Sequence, residues 1–237
     1  MNEHILSKRL SLVGQEVPQG ARLADIGSDH AYLPVALMLA KKIDFAVAGE
    51  VVKGPYESAK AQVAKNGLSE KIMVRLADGL AAVHEADAID TVTIAGMGGT
   101  LIAQILASGK EDGQLKGSER LVLQPNVGEP QVRRWLVDNG YEIIAEHILE
   151  ENNKRYEIIV AEPRALDIEL TYTQEELFFG PFLLKEKSPV FMAKWQQEAE
   201  QLRRVLQRLQ QAATPQVAKV AELTSELQRI ESVLTQQ

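Results

Sequence analysis

The sequence predicts an α/β fold: a mostly parallel, seven-stranded sheet followed by a C-terminal α-helical hairpin. Short apolar runs alternate with helical patterns through five strands, which favours a parallel sheet covered by helices on both faces. Two further runs, 141–149 and 155–162, are separated by the turn sequence Glu-Asn-Asn-Lys and predict an antiparallel β-hairpin. The sheet is therefore expected to begin parallel and to end antiparallel.

An open sheet that ends in such a hairpin is typical of class I Rossmann-like methyltransferases, so we expect residues 1–163 to form a domain of that type. The other predicted elements are helices at 5–14, 33–42, 55–66, 99–108 and 129–139 and strands at 21–26, 44–49, 72–77, 90–95 and 119–124.

Beyond the sheet, the pattern predicts a separate helical domain at 164–237. Helix starts are indicated by a Thr-x-x-Glu capping box at 173–176 and by Ser-Pro and Thr-Pro pairs at 188–189 and 214–215. Two long amphipathic helices joined by a tight connection at 212–215 predict an antiparallel coiled-coil hairpin. The hairpin either stabilises the fold or binds a substrate or partner.

Composition excludes several classes of protein. The chain of 237 residues has no cysteine, so it has no disulfides and no thiolate zinc site. Its four histidines lie far apart, and we expect no metal. No signal peptide or membrane span is evident, which favours a cytoplasmic protein without membrane association. The sequence leaves the oligomeric state open, with a monomer as the working expectation.

The net charge of −7 argues against nucleic-acid binding through bulk charge, so any such binding needs a local basic patch.

The loop after the first strand distinguishes between cofactors. Gly27 fits the first glycine of a dinucleotide loop, but Asp29 stands where the second glycine belongs. A carboxylate there would repel the pyrophosphate of NAD, whereas the cationic sulfonium and ammonium of S-adenosyl-L-methionine tolerate it. The alternative is an ordinary strand-to-helix turn with a helix cap.

Acidic residues also follow the next two strands. Glu50 ends the second strand, where an acid can bind both ribose hydroxyls, and Asp78-Gly79 follows the third, where it can meet the adenine amino group. Their joint placement favours an S-adenosyl-L-methionine site. The predicted cofactor-binding residues are Asp25, Gly27, Ser28, His30, Glu50, Val51, Asp78, Gly79, Ala95, Gly96 and Met97.

Two further loops are expected to face the substrate. The segment Ala-Gly-Met-Gly-Gly at 95–99 permits close backbone approach, although it can also be a flexible helix entry. The segment Gln-Pro-Asn at 124–126 carries amides that can hydrogen-bond the edge of a nucleobase.

These motifs together resemble one family. DIGSDHAYLP at 25–34, AGMGG at 95–99 and QPN at 124–126, with SKRL at 7–10 and YEIIVAE at 156–162, are similar to the bacterial tRNA (adenine(22)-N1)-methyltransferases. The resemblance implies methyl transfer from S-adenosyl-L-methionine to N1 of an adenine in the D-arm region of tRNA. The Asp/Asn-Pro-Pro-aromatic motif expected of exocyclic-amine methyltransferases is absent.

Adenine N1 is a lone-pair nucleophile without a proton to remove, so positioning and electrostatics can suffice for its methylation. Asp29 is the predicted catalytic residue, because its anion can stabilise the cationic product; it can instead cap the helix or bind the cofactor ammonium. His30 and Tyr32 are expected to orient or stack the base. The predicted substrate-binding residues are Lys8, Arg9, Tyr32, Gln124, Asn126, Arg133 and Arg134.

Two other functions stay open at this point: methylation of a small molecule, for which an acidic protein is natural, and non-catalytic binding of RNA or a partner through the helical hairpin.

Overall fold

A computed structural model describes residues 6–165, 171–211 and 216–235. Strands and helices alternate through the first part of the chain and helices alone form the last part. Short 3-10 helices occupy Gly79–Ala82 and Glu85–Asp87. The strands are β1 (Ala21–Ile26), β2 (Ile43–Glu50), β3 (Ile72–Leu76), β4 (Thr91–Gly98), β5 (Arg120–Val127), β6 (Tyr141–Glu151) and β7 (Lys154–Pro163). The α-helices are α1 (Lys8–Glu16), α2 (Tyr32–Leu39), α3 (Lys53–Lys65), α4 (Gly99–Glu111), α5 (Glu129–Asp138), α6 (Gln174–Phe179), α7 (Pro181–Glu186), α8 (Pro189–Gln210) and α9 (Val217–Thr235).

The seven strands form one sheet in the order β3-β2-β1-β4-β5-β7-β6. Strands β1 to β5 are parallel, and β7 is antiparallel to both β5 and β6. This arrangement confirms the predicted class I Rossmann-like sheet. Because β1 pairs with both β2 and β4, the chain order reverses at β1, and a crevice opens at the carboxyl ends of these strands.

Both faces of the sheet are buried. Leu23 and Ala24 are neighbours on β1 but belong to two different apolar clusters, because successive strand side chains point to opposite faces. Helix α4 packs in one cluster through Ile102, and α2 packs in the other through Val35. The functional edge is therefore built on a sheet that is fixed from both sides.

The structure confirms two of the helix starts that the sequence predicts. Thr173 and Glu176 form a reciprocal capping box, and Ser188 Oγ accepts the backbone N–H of Phe191 at 3.3 Å. The Thr-Pro pair and the connection at 212–215 lie outside the described residues. Helices α8 and α9 pack along each other, but their antiparallel coiled-coil geometry stays a prediction.

The chain divides into two compact units between Leu184 and Lys185, which is later than the boundary predicted at 163/164. The reason is that α6 and α7 bond to the first unit. Arg133 Nη1 donates to the carbonyl of Phe178 at 3.1 Å, and the N–H of Phe182 donates to Glu146 at 3.0 Å.

A membrane-spanning helix would need a longer apolar stretch than any helix provides among residues 6–165, 171–211 and 216–235. Within the same ranges, no three His, Cys, Asp or Glu side chains form a group that could hold a metal ion.

Candidate cofactor and substrate site

The loop after β1 turns sharply at the reversal point of the sheet. Gly27 has a φ of 70°, and its N–H donates to the carbonyl of Gly49 on β2 at 2.9 Å. A Cβ at Gly27 would lie 2.1 Å from Cε of Met97 on β4. Glycine is therefore favoured here mainly by its left-handed backbone, because the terminal methyl group of Met97 belongs to a flexible side chain that can move away.

The buried side chain of Asp25 stabilises this loop through hydrogen bonds. Its buried carboxylate accepts hydrogen bonds from Ser28 Oγ at 2.5 Å and from Thr93 Oγ1 at 2.6 Å. Burial raises the pKa of Asp25, which these two hydrogen bonds and the charge of Arg9 partly counteract. Sequence reasoning missed Thr93, because no motif links it to the loop and only the β1–β4 pairing brings it there.

Glu50 ends β2 with a side chain that is 6% exposed. It accepts the backbone N–H of Asp29, so one carboxylate oxygen already holds the loop. The pKa of Glu50 is raised to about 7, chiefly by burial and also by the carboxylates of Asp29 and Asp25, while the hydrogen bond from the N–H of Asp29 acts in the opposite direction. A ribose bound here would share the Glu50 carboxylate with the backbone N–H of Asp29, so it would not have both oxygens to itself.

Asp29 has a left-handed backbone, with a φ of 54°. Its side chain is 64% exposed, and Oδ1 lies 3.6 Å from Nε2 of His30. The rings of His30 and Tyr32 are stacked, with centroids 5.2 Å apart and an interplanar angle of 30°. The carboxylate of Asp29 and the stacked rings of His30 and Tyr32 are therefore adjacent on this loop.

A cavity of about 270 Å³ opens between this loop, α1 and the end of β4. It brings together many residues that the sequence predicts and adds two, Leu10 and Leu33, which lie in the motifs at 7–10 and 25–34 but are not predicted as site residues. The predicted residues that line it are Arg9, Asp25, Gly27, Ser28, Asp29, Tyr32, Ala95, Gly96 and Met97.

The predicted adenine contacts lie at the neighbouring strand ends. The N–H of Ala77 donates to the carbonyl of Glu50 at 2.8 Å, which places the exposed Asp78 beside the end of β2. Gly79 begins a 3-10 helix with a φ of 51°, and Val51 is largely exposed. These residues share the sheet edge with Glu50, and neither they nor Glu50 line the cavity.

The Gln-Pro-Asn segment forms an internal amide network. Gln124 is fully buried; its Nε2 donates to the carbonyl of Pro125 at 2.7 Å and to Asn126 Oδ1 at 3.2 Å, and its Oε1 accepts from Arg9. Asn126 Nδ2 donates to the carbonyl of Gly96 at 2.8 Å. The prediction of Gln124 as a direct base contact conflicts with this burial, whereas Asn126 is exposed.

The predicted RNA-binding cations have very different surroundings. Lys8 and Arg134 are exposed, and Arg134 donates to Gln174 at 3.4 Å. Arg133 is fully buried and pairs with Glu146 at 2.7 Å and with Glu157. Although burial lowers it, these carboxylates hold the pKa of Arg133 above its ordinary value. The prediction of Arg133 as an RNA contact is therefore wrong.

Known proteins are similar to this chain in both sequence and fold. A family model described as tRNA (adenine(22)-N(1))-methyltransferase matches residues 23–232. The tRNA (adenine(22)-N(1))-methyltransferase of Bacillus subtilis is 46% identical over 240 residues, which cover 99% of this chain and 99% of that protein.

Two solved structures are similar over almost the whole chain. A Streptococcus pneumoniae structure in complex with S-adenosyl-L-methionine is 50% identical, with a TM-score of 0.87, covering 97% of this chain and 100% of that one. The M. capricolum TrmK structure in complex with S-adenosyl-homocysteine is 26% identical, with a TM-score of 0.80, covering 98% of each chain. The chain belongs to the tRNA (adenine(22)-N(1))-methyltransferase family, as its motifs predict.

Proposed function

We propose that this protein transfers a methyl group from S-adenosyl-L-methionine to N1 of adenine 22 in tRNA. The observation that carries the proposal is the acidic loop at the reversal point of the sheet, where Asp25, Asp29 and Glu50 surround a glycine turn. Three carboxylates suit a cationic cofactor and oppose a pyrophosphate. Family membership supplies the reaction and the position of the target base.

The cofactor residues support the proposal through shape and through charge. Gly27 turns the loop at the cavity with a positive φ, and Glu50 offers a buried carboxylate to ribose hydroxyls. Asp78 and Gly79 lie beside Glu50, where an adenine would follow the ribose. When bound, S-adenosyl-L-methionine supplies an electrophilic methyl group on a positively charged sulfur.

Asp29 acts at the mouth of the cavity. Adenine N1 becomes positively charged as it accepts the methyl group and has no proton to lose, so the chain needs an anion there and not a base. The exposed carboxylate of Asp29 meets that requirement, and Glu50 holds its backbone in place. The alternative role of Asp29, binding the cofactor ammonium, predicts lost cofactor affinity instead of lost turnover.

The adenine must leave any paired or stacked arrangement to expose N1, which costs roughly a few kcal/mol. The stacked rings of His30 and Tyr32 offer a surface for the extruded base. Asn126, fixed by Gln124 and Gly96, is the polar candidate for the edge of the base.

Recognition of tRNA requires surfaces beyond this cavity. Lys8 and Arg134 are the exposed cations that we assign to phosphate contacts, and the C-terminal helical unit is assigned to tRNA recognition. A tRNA substrate is consistent with a cytoplasmic protein.

The test is methyl transfer from tritiated S-adenosyl-L-methionine to unmodified tRNA, followed by digestion and nucleoside analysis. The expected product is 1-methyladenosine, and a tRNA with guanine at position 22 is the matched control. Methyl groups on the exocyclic amine, equal labelling of the control tRNA, or free adenosine reacting as fast as tRNA would contradict the proposal.

A further inference from the structure

Arg9 is held rigidly at the edge of the cavity. Its Nη1 donates to Gln124 Oε1, and its guanidinium carbon lies 5.4 Å from the centre of the Tyr156 ring. Glu151 accepts the backbone N–H groups of Lys8 and Arg9 at 2.7 Å and 3.4 Å, which fixes the start of α1. The guanidinium therefore needs little reorganisation to bind a ligand.

The charge of Arg9 has no direct counterion. In the part of the chain that the structure describes, its guanidinium forms no ion pair, and its neighbours are an amide, an aromatic ring and the backbone at Gly96. Arg9 is also the only cationic side chain among the described residues that line the cavity. Asp25 also lines the cavity and interacts with the charge of Arg9, but its carboxylate is hydrogen-bonded to Ser28 and Thr93. A half-buried cation without an ion pair favours an anionic ligand group.

The strand order places Arg9 on the side of the cavity away from Glu50. Along the sheet edge the strands run β2, β1, β4, β5, so Glu50 of β2 and Gln124 of β5 lie on opposite sides of the glycine loop. A ligand with its ribose at Glu50 that crosses Gly27 reaches Arg9 with its other end. In S-adenosyl-L-methionine that end carries the α-carboxylate, which is the one anionic group of the molecule.

We propose that Arg9 binds the α-carboxylate of the cofactor, and not a tRNA phosphate as the sequence alone predicts. This inference rests on the proposed function, because it takes the cofactor from there. Gln124 occupies one donor of the guanidinium and orients the fork, while the remaining donors meet the carboxylate.

Two ligands separate the carboxylate from the rest of the cofactor. S-adenosyl-homocysteine has the amino-acid tail, whereas 5′-methylthioadenosine keeps the nucleoside and the sulfur but lacks the tail. In calorimetry on the full chain, Arg9→Gln should weaken S-adenosyl-homocysteine by about 10- to 100-fold and change 5′-methylthioadenosine by less than a factor of about two. Arg9→Lys should give an intermediate loss for S-adenosyl-homocysteine, because it keeps the charge without the planar fork.

Lys71→Gln is the control, since it removes an exposed positive charge from a residue that does not line the cavity, and it should leave both affinities unchanged. Equal losses for both ligands in Arg9→Gln would show that Arg9 only shapes the cavity, and an unchanged affinity for S-adenosyl-homocysteine would also overturn the inference. A loss confined to tRNA affinity would assign Arg9 to a phosphate. If the wild-type protein bound neither ligand, the proposed function itself would fail.

Discussion

Two arginines that the sequence assigns to the same role have opposite environments in the structure. Arg133 is fully buried between the carboxylates of Glu146 and Glu157, and it also bonds to the carbonyl of Phe178. Arg9 borders an open cavity and contacts a neutral amide and an aromatic ring.

The regions around these two arginines also differ in how their charges are paired. At the Arg133 centre each charge has an opposite charge in contact, whereas at the loop after β1 the carboxylates of Asp29 and Asp25 raise the pKa of a third carboxyl group, that of Glu50. Paired buried charges hold elements together, because removing one partner leaves the other uncompensated. Like charges gathered around a cavity reduce the stability of the fold and favour a cationic ligand.

The largest expected effect comes from breaking the paired centre. Arg133→Met should lower the free energy of unfolding by about 3–5 kcal/mol, because two buried carboxylates lose their counterion. Denaturant unfolding measures this change. Arg134→Met, at the next and exposed position, should change stability by less than about 0.5 kcal/mol. Similar losses in the two variants would remove the contrast between the regions.

Asp29→Asn tests the open site. Asparagine tolerates the left-handed backbone at this position, so the protein should fold with unchanged or slightly higher stability. Turnover with tRNA should fall about 100-fold, on the order of 3 kcal/mol in the barrier, because the anion near the developing charge is lost. Calorimetry should show S-adenosyl-homocysteine affinity within a factor of about three. A collapse of that affinity would instead assign Asp29 to the cofactor.

Glu50 should make stability depend on pH in an unusual direction. Its pKa is raised to about 7 from 4.5, so between these values the unfolded chain releases a proton that the folded protein keeps. The free energy of unfolding therefore falls as the pH rises through this window, and the loss is complete above the folded-state pKa.

Glu50→Gln lacks this titration. Compared with the wild type, it should be nearly equal at about pH 5 and more stable by about 1–3 kcal/mol at about pH 8, in thermal or denaturant unfolding. Its affinity for S-adenosyl-homocysteine should be lower at the higher pH, because the ionised carboxylate accepts hydroxyl donors better. A stability difference that does not change with pH would contradict the assigned titration.

The smallest expected effect concerns the backbone of the open site. Gly27→Ala places a methyl group against Met97 at a φ of 70° and should cost about 1–2 kcal/mol in stability. Gly98→Ala is the control, since no atom lies within 4 Å of its added Cβ and its φ is −73°. If both variants unfold at the same denaturant concentration, neither the positive φ of Gly27 nor its packing against Met97 requires glycine for stability.

The sequence predicts the strands and the loop after β1 well, because both depend on local signals. Apolar runs identify the five parallel strands, and the Asp25-to-Ala31 segment combines a turn glycine with acids that suit one kind of cofactor. The capping box at Thr173 follows from a spacing of three residues. Local spacing says nothing about Thr93, which reaches Asp25 only because β4 pairs with β1.

The position of the unit boundary also required the structure. Pro163 ends the strand pattern, but α6 and α7 bond to Glu146 and Arg133, so the first unit extends to Leu184. These contacts join residues far apart in the chain and leave no periodic pattern in the sequence.

The sequence by itself determined the α/β fold, the family and the acidic character of the cofactor loop, since these follow from periodicity and from motifs of adjacent residues. Only the tertiary structure decided what each charge does. Arg9 and Arg133 are both arginines on helices, and their roles differ because Arg133 meets two carboxylates in the interior whereas Arg9 borders a cavity. The effect of a charge depends on the local dielectric and on the partners that the fold brings to it, and neither can be inferred from the adjacent residues in the sequence.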